Sequence, residues 1–182
     1  IRNDYPVLFI HHNNQNYGLT TGQASSTSKK GCQMNGTNDG VYLDPINPLE
    51  IVLNLNPSFV ARSFSGDLSH MTEIFQKALH HDGFAFIEIL QSCPTYNRST
   101  PQEWYLKRII DIKNLKNYDN SNLNMAQKIV KDEENKIYIG LLYQNQKNIS
   151  FLKKIPNRQN LKSTLVEEVK PFDITELLKE FF

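Results

Sequence analysis

The chain has little cysteine, no long apolar run and almost no net charge, and each absence removes a class of function. Its two cysteines, Cys32 and Cys93, make neither a disulfide framework nor a zinc pattern. No apolar stretch approaches the roughly 20 residues of a membrane span. The 20 basic and 19 acidic residues leave a net charge of +1, so no broad field draws the chain to nucleic acid or to an anionic membrane. A reduced, cytoplasmic setting is the expectation. Neither a signal peptide nor a targeting sequence precedes the first apolar run. The chain opens on Ile1, and an α/β domain seldom begins so abruptly in a core strand, so further sequence is expected upstream. Asn-x-Ser/Thr triplets at Asn35, Asn97 and Asn148 arise by chance in a chain this rich in Asn.

What is present alternates. Residues 6–12 form a near-continuous apolar run, the pattern of a parallel strand covered on both faces. A polar, glycine-containing loop over 13–44 separates it from Asn47-Pro48-Leu49-Glu50. There Asn can accept from first-turn N–H groups, and Pro suits the first helical position. Residues 58–62 read as a short strand. Asp67 or Ser69 then caps a helix in which Leu68, Met71, Ile74, Phe75, Ala78 and Leu79 recur at three- and four-residue spacing. Gly83 can close that helix in the left-handed conformation. Residues 84–90 are another strand, with Cys93 just past its carboxyl end. The series predicts an α/β fold with parallel strands and right-handed crossovers. The loops at 13–27 and around Cys93 should then leave the same rim of the sheet. In the last third, Thr100-Pro101-Gln102-Glu103 has the form of a capping box opening a helix that runs through Ile112. Residues 114–123 read as a solvated linker, 136–143 as a strand and 173–182 as a short helix. The chain is thus expected to divide into an α/β domain over 1–98 and a C-terminal extension over 99–182, which wraps its own domain or docks on a partner.

Chemistry concentrates in Asn13-Asn14-Gln15-Asn16-Tyr17-Gly18-Leu19-Thr20-Thr21-Gly22-Gln23. Loops at the carboxyl ends of strands in open α/β sheets are where ligands bind. Magnesium takes oxygen ligands in near-octahedral geometry, usually one or two protein groups plus substrate phosphates. The Asn14 side chain and the Asn16 backbone carbonyl could supply two such oxygens. Gly18, Leu19 and Thr20 could offer N–H and hydroxyl donors to a phosphate. Taken alone, an Asn/Gly turn without a ligand accounts for the same residues. The adjacent pairs His11-His12 and His80-His81 point their side chains apart, unlike the i, i+4 pair of a zinc helix, and read as structural. Cys32 reads as a free thiol in a polar loop. Arg62 either meets an anionic cofactor at a strand end or serves the surface or a contact with another chain. Lys128 and Lys131 belong on a solvated helix face.

The order of residues adds to this. Asn14-x-x-Tyr17-Gly18-Leu19-Thr20-x-Gly22-Gln23-x-Ser25 resembles the thiamine diphosphate-binding loop of the β subunit of 2-oxoacid:ferredoxin oxidoreductases. Residues 59–67 (Phe-Val-Ala-Arg-Ser-Phe-Ser-Gly-Asp) resemble the segment before that subunit's next helix. Residues 81–85 and 90–97, the latter ending in Ser92-Cys93-Pro94-Thr95-Tyr96-Asn97, resemble its strand and cysteine loop. Glu103-Trp104-Tyr105 and Ile137-Tyr138-Ile139-Gly140 are similar to landmarks of its C-terminal part. The likeness covers most of residues 6–143 in order.

The resemblance implies a parallel-sheet thiamine diphosphate-binding fold, N-terminally incomplete, with a C-terminal extension. It makes Asn14 a side-chain Mg²⁺ ligand and Asn16 a backbone-carbonyl ligand, with Gly18, Leu19 and Thr20 on the diphosphate. Thr21 and Gln23 would lie towards the 2-oxoacid. Cys93 would be one of four thiolates on a 4Fe–4S cluster. The implied reaction is oxidative decarboxylation of a 2-oxoacid (pyruvate, 2-oxoglutarate or a branched acid) to acyl-CoA and CO₂. Electrons would pass to ferredoxin, coenzyme A would take the acyl group, and an α (or fused α/γ) subunit would complete a hetero-oligomer. The chain departs from the family where Asn13 replaces a usual Asp, Ser26 a usual Pro and Ser92 a common Pro. The family's Gly-Asp-Gly element and three further cysteines are expected upstream of Ile1, so the isolated chain should be inactive. Two rival readings stay open: a non-oxidative 2-oxoacid decarboxylase, which needs no thiolate at 93, and a non-catalytic module using the same fold for assembly.

Overall fold

The computed structural model describes residues 1–131, 135–160, 163–169, 171 and 173–181. The first compact unit, Ile1–Phe151, is built on a five-stranded sheet. In chain order its elements are β1 (Leu8–Asn13), β2 (Asn16–Tyr17), β3 (Gln23–Ala24), α1 (Pro48–Leu53), β4 (Phe59–Phe64), α2 (Leu68–Leu79) and β5 (Ala85–Leu90). Then follow α3 (Gln102–Leu106), β6 (Ile109–Asp111), α4 (Leu123–Ile129) and β7 (Ile137–Gln144). The spatial order is β1-β5-β4-β7-β6. β1, β5 and β4 run parallel, as the alternating pattern predicts, and β7 joins β4 antiparallel.

Helices cover both faces because each strand alternates its side chains between them. On one face α1 and α4 pack Leu49, Val52, Leu53, Ala126 and Val130 against Val60, Phe86 and Leu142. On the other, Ile74 and Ala78 of α2 meet Phe59, Ala61, Ile87 and Ile89. The caps are as the residue types demand. Asn47 Oδ1 accepts from Leu49 N, and its Nδ2 donates to Val130 O, tying α1 to the end of α4. Asp67 Oδ1 accepts from His70 N at the start of α2.

Four expectations are corrected. β1 is not covered on both faces: it is an edge strand, with Val7 51%, Phe9 52% and Ile10 37% exposed. The helix expected to run through Ile112 stops at Leu106, and Ile109–Asp111 becomes β6 beside β7. β-branched Ile109 and Ile110 suit a pleated strand, and Ile137 N reaches back to Arg108 O. Thr100 does not cap α3, whose N-cap, Pro101, offers no side-chain bond; its hydroxyl is buried inwards. The linker over 114–123 is pinned rather than loose, with Tyr118 Oη donating to Leu142 O. Lys128 and Lys131 are exposed, as expected of a solvated face.

The amino rim of the sheet is closed by a buried cluster. Asp4 Oδ1 accepts from Phe84 N (2.9 Å) and Ser58 Oγ (2.5 Å), and Asp4 Oδ2 accepts from Asn148 Nδ2 (2.6 Å). His81 Nε2 lies 2.9 Å from Ser58 Oγ. The second unit, Leu152–Phe182, carries short helical turns at Leu165–Glu168 and Thr175–Leu178. The latter falls within the helix expected over 173–182, of which Phe182 lies outside the described residues. Among the described residues, no helix is long and apolar enough to cross a membrane.

Candidate functional site at the carboxyl rim

Asn13 at the end of β1 lies opposite Leu90 at the end of β5, and Gln91 N extends the ladder to Asn13 O. The loops that follow therefore emerge side by side, as the strand order required. Beneath them sits a buried polar floor. Glu88, with no exposed surface, takes Asn13 Nδ2 on Oε1 (2.8 Å) and Arg62 Nε on Oε2 (2.7 Å). Arg62 is thus not on the surface. It is 3% exposed and its charge is engaged by Glu88, a partner that only the sheet register brings to it. The amide at Asn13 suits this floor: Nδ2 can donate to a carboxylate, which an ionised Asp could not do.

The loop after β1 is fastened from both sides. Asn13 Oδ1 accepts from Gln15 N and from Thr27 Oγ1, and Ser28 Oγ donates to Gln15 O. From the cysteine loop, Asn97 Nδ2 donates to Asn14 O (3.2 Å), while Thr100 Oγ1 donates to Gln15 Oε1 (3.2 Å). The 13–44 stretch expected as plain loop contains a small hairpin, in which Asn16 pairs with Ala24 and Tyr17 with Gln23. Its turn closes with Thr21 N donating to Gly18 O and Gly22 N to Tyr17 O. Gly22 sits at φ +92°, and a Cβ there would lie 2.5 Å from the Tyr96 ring. Only glycine lets the two loops approach this closely.

The sequence-predicted residues gather here. Asn14 Oδ1 accepts from Asn16 N (3.1 Å), which leaves it one lone pair for a ligand. Among the described residues, the N–H groups of Gly18, Leu19 and Thr20 meet no acceptor, as an anion-binding turn requires. Thr20 Oγ1 bonds Gln23 Oε1, and the Thr21 carbonyl accepts from Asn35 Nδ2. Leu19 is fully exposed at the tip. The Cys93 thiol is raised by its partial burial, but the backbone N–H groups of Asn97, Tyr96 and Thr95, with the Asn16 amide, outweigh this and bring it below the usual thiol value. Tyr96 N lies 3.4 Å from the sulfur. Among the described residues no three His, Cys, Asp or Glu side chains gather as a metal cage, so Cys93 fits a cluster only as one ligand among four. Cys32 is a free thiol that donates to Ser99 Oγ. The histidine pairs serve separate partners, His12 bonding Gln91 and His80 the carbonyl of Gln76.

Helix α3 closes one side of the site. Lys29 Nζ lies 3.4 Å from the Trp104 ring centre, and Arg108 stacks on the same ring at 4.4 Å. Burial and then the Arg108 charge lower the Lys29 ammonium. Sequence reasoning missed Glu88, Asn97 and Thr100. The first lies inside a strand and the others follow the cysteine, and only spatial pairing reveals their work. Asn97 and Asn148, both in Asn-x-Ser/Thr triplets, have their amides engaged inside the fold.

Residues 1–89 match the family described as "Thiamine pyrophosphate enzyme, C-terminal TPP binding domain", and residues 93–160 match the family of the C-terminal part of the pyruvate ferredoxin oxidoreductase beta subunit. The β subunit of a 2-oxoacid:ferredoxin oxidoreductase from Sulfolobus sp is 35% identical over 163 residues, covering 85% of this chain and 53% of that one. Its counterpart from Saccharolobus solfataricus is 32% identical, covering 98% of this chain and 64% of that one. The chain belongs to the β-subunit family of 2-oxoacid:ferredoxin oxidoreductases. A solved member, the 2-oxoglutarate:ferredoxin oxidoreductase from Magnetococcus marinus with 2-oxoglutarate, coenzyme A and succinyl-CoA bound, superimposes with a TM-score of 0.81 at 27% identity, over 98% of this chain and 59% of that chain. The chain thus spans about half to two-thirds of the length of these β-subunit relatives. The two family matches meet near residue 90, whereas the contact-defined unit runs on to Phe151, because β6 and β7 complete the sheet.

Proposed function

We propose that the chain supplies the magnesium- and diphosphate-binding loop of the thiamine diphosphate-binding subunit of a 2-oxoacid:ferredoxin oxidoreductase. That enzyme would convert a 2-oxoacid and coenzyme A to acyl-CoA and CO₂ and pass the electrons to ferredoxin. The observation that carries this reading is the hairpin tip, where among the described residues the N–H groups of Gly18, Leu19 and Thr20 meet no acceptor, on the rim that also holds Asn14 and the Cys93 thiol.

In this reading Asn14 Oδ1 and the Asn16 carbonyl ligate Mg²⁺, and the N–H groups of Gly18, Leu19 and Thr20 hold the diphosphate. Thr21 and Gln23 face the 2-oxoacid, and Cys93 is one of four thiolates on a 4Fe–4S cluster. Thiamine diphosphate, when bound, supplies the carbon nucleophile and electron sink for decarboxylation. The chain's own part is to orient. Asn13, Thr27 and Ser28 fix the near side of the loop and Asn97 and Thr100 the far side, so the ligand oxygens need little rearrangement on binding. The remaining Mg²⁺ ligand and three cysteines belong to the part of a complete subunit that the chain does not span. The acid that activates the aminopyrimidine ring comes from the α (or fused α/γ) subunit. A reducing, cytoplasmic setting suits the two free thiols.

The test is metal and cofactor content of the complete subunit purified with its partner. Thiamine diphosphate, Mg²⁺ and iron with visible absorbance are expected together. An active but iron-free enzyme would make this a non-oxidative decarboxylase. No calorimetric heat with thiamine diphosphate and Mg²⁺ would make it an assembly module. The 182 residues alone should bind neither cofactor nor cluster tightly, and micromolar binding by them would contradict the shared-ligand reading.

A further inference from the structure

A cavity of about 310 Å³ lies among β4, β5, α1, α3 and the end of α4, beside the loop that follows β3. Its floor is the buried Arg62–Glu88 pair, and Trp104, Val130 and Ile137 give it an apolar wall. Three cations line it, Lys29, Arg62 and Lys131, against two carboxylates, Glu50 and Glu88. Arg62 and Glu88 answer each other at 2.7 Å, so the lining keeps one net positive charge. Lys29 is the group left over. Among the described residues no carboxylate pairs with it or with Arg108, and both cations rest on the Trp104 ring. A half-buried ammonium sharing a ring with a second cation gains from a negative partner. Tyr105 also lines the cavity. It has no exposed surface, and its hydroxyl meets no hydrogen-bond partner among the described residues. A buried hydroxyl without a partner costs free energy, and phenylalanine would pack equally well against Phe64 and Trp104. The Trp104 ring links the two groups, with Lys29 Nζ 3.4 Å from its centre and the Tyr105 ring edge-on at 5.1 Å.

We propose that this cavity binds a small monocarboxylate with a short apolar chain, its carboxylate accepting from Lys29 Nζ and Tyr105 Oη. The chain of the ligand would lie against Trp104, Val130 and Ile137. The charge of the lining selects the class. A neutral molecule leaves the Lys29 ammonium unanswered, and a dianion leaves a negative charge uncompensated beside Glu50 and Glu88. The apolar wall adds burial of the chain, which an inorganic anion could not use. The volume is at the small end of ligand pockets, which suits a molecule of a few carbon atoms. The inference stands apart from the proposed function, because neither donor belongs to the hairpin tip. Thr27 lines the same cavity and holds Asn13 Oδ1, so an occupant bears on the base of the loop beside it.

The experiment is calorimetric titration of the complete subunit, assembled with its partner, with sodium butyrate as the probe. Saturable heat is expected with butyrate and none with butan-1-ol or butylammonium at the same concentration. Lys29→Met should weaken butyrate binding roughly tenfold or more, since a charge-assisted bond is lost, while Lys29→Arg should keep it. Tyr105→Phe should weaken it by a smaller factor, on the order of fivefold. Gln23→Ala, on the hairpin, should leave it unchanged, and inorganic phosphate should not displace it. No saturable heat with butyrate, or equal heat with butan-1-ol, overturns the inference. So does an unchanged affinity in Lys29→Met or, if that variant does not assemble, in Tyr105→Phe. A loss in Gln23→Ala would put the probe at the hairpin and overturns it as well. Displacement by an equal concentration of phosphate overturns the single-charge match.

Discussion

The two rims of the sheet draw on the same polar residue types and differ in how completely their hydrogen bonds are closed. At the amino rim the buried Asp4 carboxylate is saturated by Ser58, Phe84 N and Asn148, with His81 backing Ser58. At the carboxyl rim, among the described residues, the Asn16 amide is buried with neither atom hydrogen-bonded, and three N–H groups at the open tip of the hairpin meet no acceptor. Native folds rarely leave buried polar groups unmatched. The amino rim is thus closed by its own side chains, and the carboxyl rim, among the described residues, is not. Between them lies the Arg62–Glu88–Asn13 floor, which is closed below and hands its last acceptor, Asn13 Oδ1, up to the loop.

The strongest way to break the comparison is Asp4→Ala. It strips the partner from several buried donors at once, each of which costs about 1–3 kcal/mol when left unmatched. Denaturant unfolding should show a loss on the order of 3 kcal/mol, with any cofactor affinity of the surviving folded complex unchanged. Asn14→Ala should do the reverse. It removes one cap on Asn16 N–H, worth about 1 kcal/mol. Retention of Mg²⁺ and diphosphate by the complete complex should nonetheless fall roughly tenfold or more, since even outer partners of a metal site cost that much. A large stability loss with unchanged retention would make Asn14 structural. The smallest effect is a dependence on pH. Burial holds His70 and His81 below the usual 6.5, against the pull of Asp111 and Asp67 on the first and of Asp4 and Asp82 on the second. An unfolded chain takes up protons at these sites near pH 6.5 while the folded chain does not. The unfolded state then binds more protons, and stability falls as pH drops from about 6.5 towards the folded values. Thermal midpoints between about pH 7 and 5 should show this slope, and His70→Gln should flatten part of it.

Which parts were legible in the sequence follows from how local each determinant is. The start of helix α2 is read correctly because its Asp67 cap and the Ile74 and Ala78 face lie within one short stretch, whereas its end comes at Leu79 with His80 as the cap and not at Gly83. The β1–β5–β4 core was legible from alternation. What could not be read depends on partners far along the chain. Ile109 and Ile110 look helical after Trp104 until β7 is placed beside them. Arg62 could be taken for a surface residue until the register sets Glu88 next to it. The orphaned amide of Asn16 becomes visible only when the Cys93 loop lies across the hairpin.

The uncovered edge of β1 has a consequence for handling the protein. Among the described residues no strand pairs the outer edge of β1, and Val7, Phe9 and Ile10 at that edge face water, so it is a template on which another strand can grow. No proline or lysine lies within Leu8–Asn13 to blunt it. In a concentrated solution of these residues by themselves, two molecules meeting at that edge would extend each other's sheet. The keeping quality of these residues by themselves therefore depends on whatever lies against this one short strand.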